Sequence, residues 1–239
     1  MGKVLMSGIV PKLVTPAPPV TDITAEELAV GNTVYINENG VPIPYLVVHR
    51  GLPSSKYNSN CNGLWLLRKD AYTKRQWDNG NAGSYYNNST IHTYLNGTFL
   101  ALFDAAVQNI IKQATLQCLY TTVSAKIFLL AYPEVVNTGS SMSMYLNVNE
   151  GSILSYFSGL TASANNKRVA YYNGSATAWH LRTAPSSATE GGYRICNVNP
   201  DGAVYWNMYT STTSLGIRPA LILPFTAIFD AETMVLKGA

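Results

Sequence analysis

Residues 215–223 read Leu-Gly-Ile-Arg-Pro-Ala-Leu-Ile-Leu. A nearly all-apolar run of this kind is typical of a strand in the middle of a sheet, where both faces are covered. Pro219 has no backbone N–H to donate, so we expect it at an end or a bulge of the strand. Arg218 stands between apolar neighbours, and a buried charge must be paired. We therefore predict that Arg218 is structural and holds a carboxylate or a row of carbonyls.

A β-hairpin precedes this strand in the sequence. Residues 193–198 and 203–208 are strand-like and flank residues 199–202, which read Asn-Pro-Asp-Gly. Pro at the second turn position, Asp at the third and Gly after them suit a type I turn that closes with a positive-φ residue. Gly202 is therefore predicted to be structural.

Helical signals lie in the first half of the chain. A short helix is predicted to begin at Asn88 or Ser89, whose side chain can accept a hydrogen bond from an unpaired amide, and to end at residues 96–97 (Asn-Gly). A second helix is predicted over residues 100–112, where apolar residues recur at helical spacing. Further strand-like runs occupy residues 33–36, 43–49, 63–68 and 126–131. The fold class is predicted to be α+β, with two helices, a mostly antiparallel sheet and long loops.

Composition restricts the class of protein and of partner. The 239 residues are 47% hydrophobic and 12% charged, which excludes a disordered chain. A formal net charge of +3 is too small to neutralise a row of phosphates, so no nucleic acid is expected as a partner. No apolar run approaches the roughly 18 residues of a membrane span, so no membrane insertion is expected.

The ends and the cysteines of the chain carry further expectations. Residues 15–19 (Thr-Pro-Ala-Pro-Pro) are stiff and extended, so residues 1–28 are predicted to be an arm and residues 29–239 the domain. The apolar stretch after Lys3 is broken before it reaches the length of a signal-peptide core, so we expect synthesis in a reducing cytoplasm without cleavage. The three cysteines are odd in number and far apart, which argues against a disulfide framework or a structural zinc site.

The last third of the chain is dense in Tyr, Asn, Ser and Thr. This mixture is typical of binding loops, because Tyr offers a large contact area at low entropic cost and the small polar residues adapt their hydrogen bonds. An ordinary antiparallel sheet with a polar face has a similar composition, so both interpretations stay open. Residues two apart in a strand share a face, so Tyr205 and Tyr209 are predicted to face solvent and Trp206 the core. The candidate ligand-binding residues are Tyr171, Tyr172, Asn173, Tyr193, Asn197, Asn199, Tyr205, Asn207, Tyr209, Ser211 and Thr212.

Four segments together carry a resemblance to a known family: residues 89–96 followed by Phe99, 126–130, 175–184 and 216–223. They occur in the order expected for a family of domains of unknown function (DUF6273-like) whose members resemble C-type-lectin-like domains. That fold is shared with formylglycine-generating enzymes and with the variable proteins of diversity-generating retroelements. One departure is that residues 179–184 read Trp-His-Leu-Arg-Thr-Ala, where relatives commonly read Trp-Trp-Leu-Arg-Ser-Pro.

The resemblance implies a function and a set of partners. Many relatives with a similar arm are encoded in phages and prophages of gut bacteria, which implies a virion- or tail-associated protein. A domain of this kind would recognise a bacterial surface protein or glycan, and the arm would dock to other virion proteins or to sister chains in a homo-oligomer. In retroelement-diversified relatives the varied positions lie in the C-terminal segment. The resemblance also makes Trp179 a core residue, and Arg182, like Arg218, is predicted to be structural.

Two other functions are alternatives to binding. One is a structural virion decoration protein without a ligand. The other is an enzyme of the formylglycine-generating type, which needs a reactive cysteine pair, whereas Cys196 stands alone in a predicted strand. His49, His92 and His180 lie in different elements without a nucleophile motif beside them, so no catalytic residue is predicted.

A calcium site is suggested only weakly. Residues 199–201 (Asn-Pro-Asp) and Asn207 echo the triplet and strand of calcium-dependent sugar-binding lectins. Calcium prefers six to eight oxygen ligands with several carboxylates, yet Asp201 is the only acid between Gly191 and Phe229. We therefore expect no metal and no cofactor.

Overall fold

A computed structural model describes residues 22–78, 85–119, 121–137, 148–184, 194–209 and 214–238 of the protein. Residues 148 and 207–209 are described by their backbone alone. The first 21 residues of the predicted arm lie outside these ranges, as do Tyr193, Ser211 and Thr212.

The described part of the chain contains short strands and few helices, as the predicted α+β class requires. The strands are β1 Ile23–Thr24, β2 Thr33–Glu38, β3 Val41–Gly51, β4 Gly63–Arg68, β5 Thr73–Gln76, β6 Ala114–Cys118, β7 Thr121–Ala125, β8 Ile127–Phe128, β9 Ala170–Tyr172, β10 Ser175–Thr177, β11 Trp179–His180, β12 Arg194–Val198, β13 Val204–Tyr209, β14 Ser214–Ile217, β15 Ala220–Leu223, β16 Ile228–Phe229 and β17 Leu236–Gly238. The α-helices are α1 Thr90–Tyr94, α2 Ala105–Ile110 and α3 Tyr132–Val135, and a π-helical turn spans Leu95–Phe99. Turns of 3-10 helix lie at Ala25–Glu27, Ser59–Cys61, Tyr86–Asn88, Leu100–Leu102, Val148–Glu150, Ser155–Phe157 and Asn166–Arg168.

Two five-stranded sheets form the centre of the fold. One has the order β2-β3-β4-β15-β8 and the other the order β13-β12-β11-β14-β5. Neighbouring strands are antiparallel except for β11 and β14, which pair in parallel through Trp179 and Gly216. The prediction of a mostly antiparallel arrangement is therefore confirmed. Smaller sheets are β1-β16-β17, β9-β10 and β6-β7.

The run at residues 215–223 is divided between the two large sheets. The sequence predicted one central strand, but β14 and β15 belong to different sheets. Pro219 lies in the break, where its missing N–H interrupts no ladder. Both halves are nonetheless central in their sheets and almost entirely buried, which is why the whole run is apolar.

The two predicted helices need corrections at their ends. Ser89 caps α1, since its Oγ accepts a hydrogen bond from the His92 N–H at 3.2 Å. The helix does not end at residues 96–97, because the Asn96 side chain bonds the backbone of Lys126 and Ile127 and the chain continues into the π-helical turn. The second helix begins later than predicted, because Asp104 accepts from the Val107 N–H at 2.9 Å and caps α2.

The folded domain begins earlier than predicted. Strand β1 pairs with β16, and both Ala25 and Leu28 are buried in the core. Residues 23–28 therefore belong to the domain, and the predicted boundary between residues 28 and 29 is wrong. Within the described ranges, no helix is long and apolar enough to cross a membrane.

Candidate functional site

Two chain segments cross between the large sheets side by side. The first leads from β4 to β5 and the second from β14 to β15. They are tied together by the Arg68 N–H, which donates to the Pro219 carbonyl at 2.9 Å, and by the Tyr72 N–H, which donates to the Ile217 carbonyl at 2.8 Å.

A groove of about 590 Å³ opens at this junction. Its volume falls in the range of roughly 300–1,000 Å³ that is usual for ligand sites. Its lining combines cations, one carboxylate, aromatic rings and small polar groups. The lining residues are Gly31, Thr33, Leu46, Lys69, Asp70, Tyr156, Asn166, Lys167, Val169, Tyr171 and Arg218.

Arg218 forms the buried part of the groove wall. The residue is 2% exposed, and its guanidinium lies 4.9 Å from the ring centroid of Trp179. Its Nε donates to the Arg68 carbonyl at 2.9 Å and its Nη1 to the Arg168 carbonyl at 3.4 Å. Burial lowers the pKa of Arg218 to about 10, so the side chain is still charged at neutral pH. The row of carbonyls that the sequence predicted as its partner is confirmed.

The groove carries a surplus of positive charge. Lys69 and Lys167 are exposed at its edge, and Lys167 Nζ donates to the Tyr156 carbonyl at 3.1 Å and lies 5.2 Å from the centroid of that ring. Asp70 is the acidic residue of the lining, and its Oδ1 accepts from the Tyr171 N–H at 3.1 Å. Three cations thus face one carboxylate, which favours an anionic ligand.

The β9–β10 hairpin brings one predicted binding residue to the groove. Tyr171 lines the groove and is 48% exposed. Tyr172 is half-buried, with Lys74 Nζ at 5.5 Å from its ring centroid. Asn173 forms the turn with Gly174, and both have positive φ angles, 50° and 78°. An Asn-Gly pair suits such a two-residue turn, so the turn alone accounts for Asn173.

In the β12–β13 hairpin, the predicted ligand-binding residue Asn197 is not available for contact. Asn197 is fully buried, and its Nδ2 donates to Asn199 Oδ1 at 2.7 Å, so direct contact of Asn197 with a ligand is excluded in this conformation. The cause is a register shift between Ile195 and Asn197, which places four consecutive residues of β12 in the core. The face of a strand residue cannot be found by counting in twos across such an irregularity, and Asn197 is buried together with its neighbours Cys196 and Val198.

At the start of β13, the side chains face the directions that the sequence predicts. Tyr205 is 47% exposed, whereas Trp206 is half-buried and packs against the core. The backbone of Asn207 and Tyr209 continues the strand. The register shift lies between the pairs Asn197–Tyr205 and Ile195–Met208, so the face that Tyr205 occupies cannot be extended to Tyr209 by counting in twos.

The turn at residues 199–202 is packed against the groove wall. The Gly202 N–H donates to the Asn199 carbonyl at 2.9 Å, and Gly202 has a φ of 81°, as the turn type predicted. The Asn165 N–H donates to the Asp201 carbonyl at 3.2 Å, and buried Arg168 donates from Nε to the Gly202 carbonyl at 2.7 Å. The hairpin thereby supports residues 165–168, which include two lining residues of the groove.

Two side-chain oxygens of this turn already accept hydrogen bonds. Asp201 Oδ1 accepts from the Ala203 N–H at 2.9 Å, and Asn199 Oδ1 accepts from Asn197. No group of three or more His, Cys, Asp or Glu side chains that could hold a metal ion is found in the described ranges. The turn therefore needs no ion to account for its side chains.

Arg182 lies in a cluster of buried charged side chains. Its Nη1 and Nη2 bond the two carboxylate oxygens of Glu134 at 2.8 and 2.6 Å, and both side chains are fully buried. Further donations from Arg182 reach the Leu129 and Glu150 carbonyls, each at 2.8 Å. Tyr57 Oη also donates to Glu134, at 2.8 Å. Arg182 is thus placed as a structural residue that ties α3 to the sheets.

Glu150 is a second buried carboxyl beside this cluster. Its Oε1 accepts from the Leu119 N–H at 2.5 Å, while its Oε2 has no hydrogen-bond partner among the described residues. Burial raises the pKa of Glu150 from 4.5 to about 7. The folded protein therefore holds a proton that the unfolded chain releases above about pH 4.5.

The raised pKa of Glu150 makes the stability of the folded protein depend on pH. Protons bound only by the folded state are lost as the pH rises, so stability falls between about pH 4.5 and 7 and stays low above that range. Replacing Glu150 by glutamine, which does not titrate, is expected to stabilise the protein by roughly 2 kcal/mol at pH 8 and to change little at pH 4. Urea unfolding at the two pH values measures this difference. Equal stabilities of variant and wild type at pH 8 would contradict it.

His49 and His180 form hydrogen bonds within the fold, and the three cysteines are buried. His180 is fully buried, its Nε2 lies 2.9 Å from the Arg75 carbonyl, and burial lowers its pKa to about 4. His49 Nδ1 bonds the backbone N–H and the Oγ of Ser155, at 3.2 and 2.8 Å. The cysteines, Cys61, Cys118 and Cys196, are buried free thiols whose pKa values are raised by burial.

Sequence reasoning missed most of the groove. Lys69, Asp70, Tyr156, Asn166 and Lys167 come from loops that carry no motif. A weak signal was present, because charged residues follow directly after the all-apolar strand β4. The partner of Arg182 was also missed, since Glu134 lies in the short helix α3, which was not predicted.

The comparisons with known proteins give one family. A family model described as "Domain of unknown function (DUF6273)" matches residues 62–225, which is more than half of the chain and includes most of the groove. No curated protein and no solved structure matches the chain.

Proposed function

The chain belongs to the DUF6273 family of domains of unknown function, and for this member we propose a ligand-binding role without catalysis. Its ligand is a protein or glycan on a bacterial surface. The contact surface is formed by the groove at the sheet junction, by Tyr171 of the β9–β10 hairpin and by Tyr205 of the β12–β13 hairpin. The observation that carries the proposal is the buried, charged Arg218 in the wall of a groove bordered by Tyr171.

The exposed aromatic residues support a contact surface. Large apolar side chains that are exposed in the described ranges include Tyr171 and Tyr205, and both belong to the set predicted from the sequence. Exposed tyrosines are common in binding surfaces because they add contact area at a small cost in side-chain entropy. The hairpin that carries Tyr205 is tied through Gly202 and Arg168 to the loop that lines the groove.

The finer assignment of fold and setting is part of the same proposal. A C-type-lectin-like fold is supported by the order of the four matching segments and by the burial of Trp179 and Arg182 within one of them. A phage virion or tail is the proposed setting, with the Pro-rich N-terminal residues docking to other virion proteins or to sister chains. Retroelement diversification would be supported by a reverse-transcriptase gene and a near-identical template repeat beside the gene.

The proposed function can be tested by binding to bacterial cells. Labelled protein is titrated against a panel of bacteria, and we expect saturable binding to some strains. Tyr171→Ala and Tyr205→Ala should each change stability by no more than about 0.5 kcal/mol, because both side chains are exposed. They should weaken cell binding by roughly 2 kcal/mol, about thirtyfold in Kd, if they are hot spots.

Tyr85→Ala is the matched control for these variants. Tyr85 is 43% exposed, does not line the groove and was not predicted to bind. This variant should bind cells like the wild type. Absence of saturable binding to every strain, or equal losses in all three variants, would count against the proposal and favour a structural decoration protein.

A further inference from the structure

The groove contains a buried cation that has no carboxylate partner. Within the described ranges, no carboxylate oxygen lies within 4.0 Å of the Arg218 guanidinium. Nε and Nη1 are used by carbonyls, whereas Nη2 has no hydrogen-bond acceptor in the described part of the chain. Arg182 is equally buried, but its guanidinium pairs with both carboxylate oxygens of Glu134. The carboxylate of Asp70 in the same lining acts on Arg218 only from beyond ion-pair distance, so the Nη2 donors remain available to an anion that enters the groove.

Resting on the proposed function, we propose that the groove binds an acidic saccharide whose carboxylate pairs with Arg218. The guanidinium suits this task because its planar donors match the geometry of a carboxylate. Lys69 and Lys167 add positive charge at the entrance and attract an acidic ligand from solution.

The rest of the lining favours a sugar over other anions. The rings of Tyr171 and Tyr156 offer apolar faces against which the C–H groups of a pyranose can pack, and their hydroxyls offer hydrogen bonds. Asp70, Thr33 and Asn166 provide the mixed acceptors and donors that ring hydroxyls require.

The size of the groove agrees with a short oligosaccharide. Its volume of about 590 Å³ exceeds what a single small anion occupies. An acidic peptide is the competing class of ligand, because it would also offer a carboxylate to Arg218. The exposed ring of Tyr171 is better matched by a sugar ring than by an extended peptide backbone, which would leave its own N–H and C=O groups to be paired.

The test compares each acid with its neutral counterpart. Galacturonic acid trisaccharide and N-acetylneuraminyl-lactose are titrated into the full chain by calorimetry, each beside its carboxyl methyl ester. We expect at least one acid to bind, and at least tenfold more tightly than its ester. Tyr171→Ala should weaken this binding about tenfold, whereas Tyr85→Ala, at a similarly exposed tyrosine outside the groove and outside the proposed contact surface, should leave it unchanged.

Two further variants address the cations directly. Arg218→Lys keeps the charge but loses the planar pair of donors and is expected to weaken the acid about tenfold without affecting the ester. Should Arg218→Lys fail to fold, Lys69→Ala, an exposed change at the groove edge, is expected to weaken only the acid, by about threefold. Equal binding of acid and ester, no binding of either acid, or full binding by Tyr171→Ala would overturn the proposal.

Competition on cells separates this inference from the proposed function. If the acidic saccharide both binds the groove and displaces the protein from cells, both proposals are supported. Cell binding that the saccharides do not displace, and that a glutamate-rich peptide does, would leave the binding role intact and reject the sugar. Saccharide binding without binding to any cell would support the groove assignment and reject the cell-surface role.

Discussion

Replacing Arg182 by methionine is expected to lower the free energy of unfolding by about 3–5 kcal/mol, because the change leaves the buried carboxylate of Glu134 without its partner. The contacts to the Leu129 and Glu150 carbonyls are lost with it. These contacts hold α3 and the following 3-10 turn against the sheets, so the loss should be felt in global unfolding. Chemical denaturation followed by circular dichroism measures the change.

Two comparisons identify the cause of this loss. The double variant Arg182→Met/Glu134→Leu removes both charges, so it should recover much of the lost stability, as replacement of whole buried ion pairs often does. Lys237→Met removes the exposed ion pairs of Lys237 with Asp22 and Asp230 and is expected to have nearly the same free energy of unfolding as the wild type. If the double variant is no more stable than Arg182→Met, packing and not charge accounts for the effect.

Replacing Gly202 by alanine is expected to cost about 3 kcal/mol or more, from two sources that add. The φ of 81° lies in the left-handed region that disfavours a side chain. A Cβ placed there would also lie 2.1 Å from the Asn165 carbonyl oxygen, a backbone atom that cannot move aside without breaking the contact between the hairpin and residues 165–168. Gly202→Val should be worse still, because its branched side chain adds to the clash.

Gly174→Ala provides the matched control for the backbone contribution. Gly174 has a φ of 78°, yet a Cβ there would meet no atom within 4 Å. This variant should lose only about 1–2 kcal/mol, the cost of the left-handed conformation itself. Thermal melts of both variants give the difference. Similar losses at the two positions would show that the close approach to Asn165 is relieved by local movement.

Local chemistry is the part of this fold that could be predicted from the amino-acid sequence. The cap at Ser89, the strand β4 and the turn with positive φ at Gly202 each depend on residues within a few positions of one another. Such patterns act through short-range sterics and hydrogen bonds, so one sequence is enough to identify them. The α+β class followed from the same short-range patterns.

Burial and partnership followed from contacts between distant parts of the chain. Apolarity could not show that residues 215–223 are divided at Pro219, because both halves are covered, each by a different sheet. Asn197 is buried through a register shift that depends on the partner strand β13. The pairing of Arg182 with Glu134, and the lack of a carboxylate beside Arg218, arise where the sheets meet, so no local pattern could tell the two arginines apart. The groove could not be predicted for the same reason, because its lining comes from two crossovers and several turns that lie far apart in the sequence.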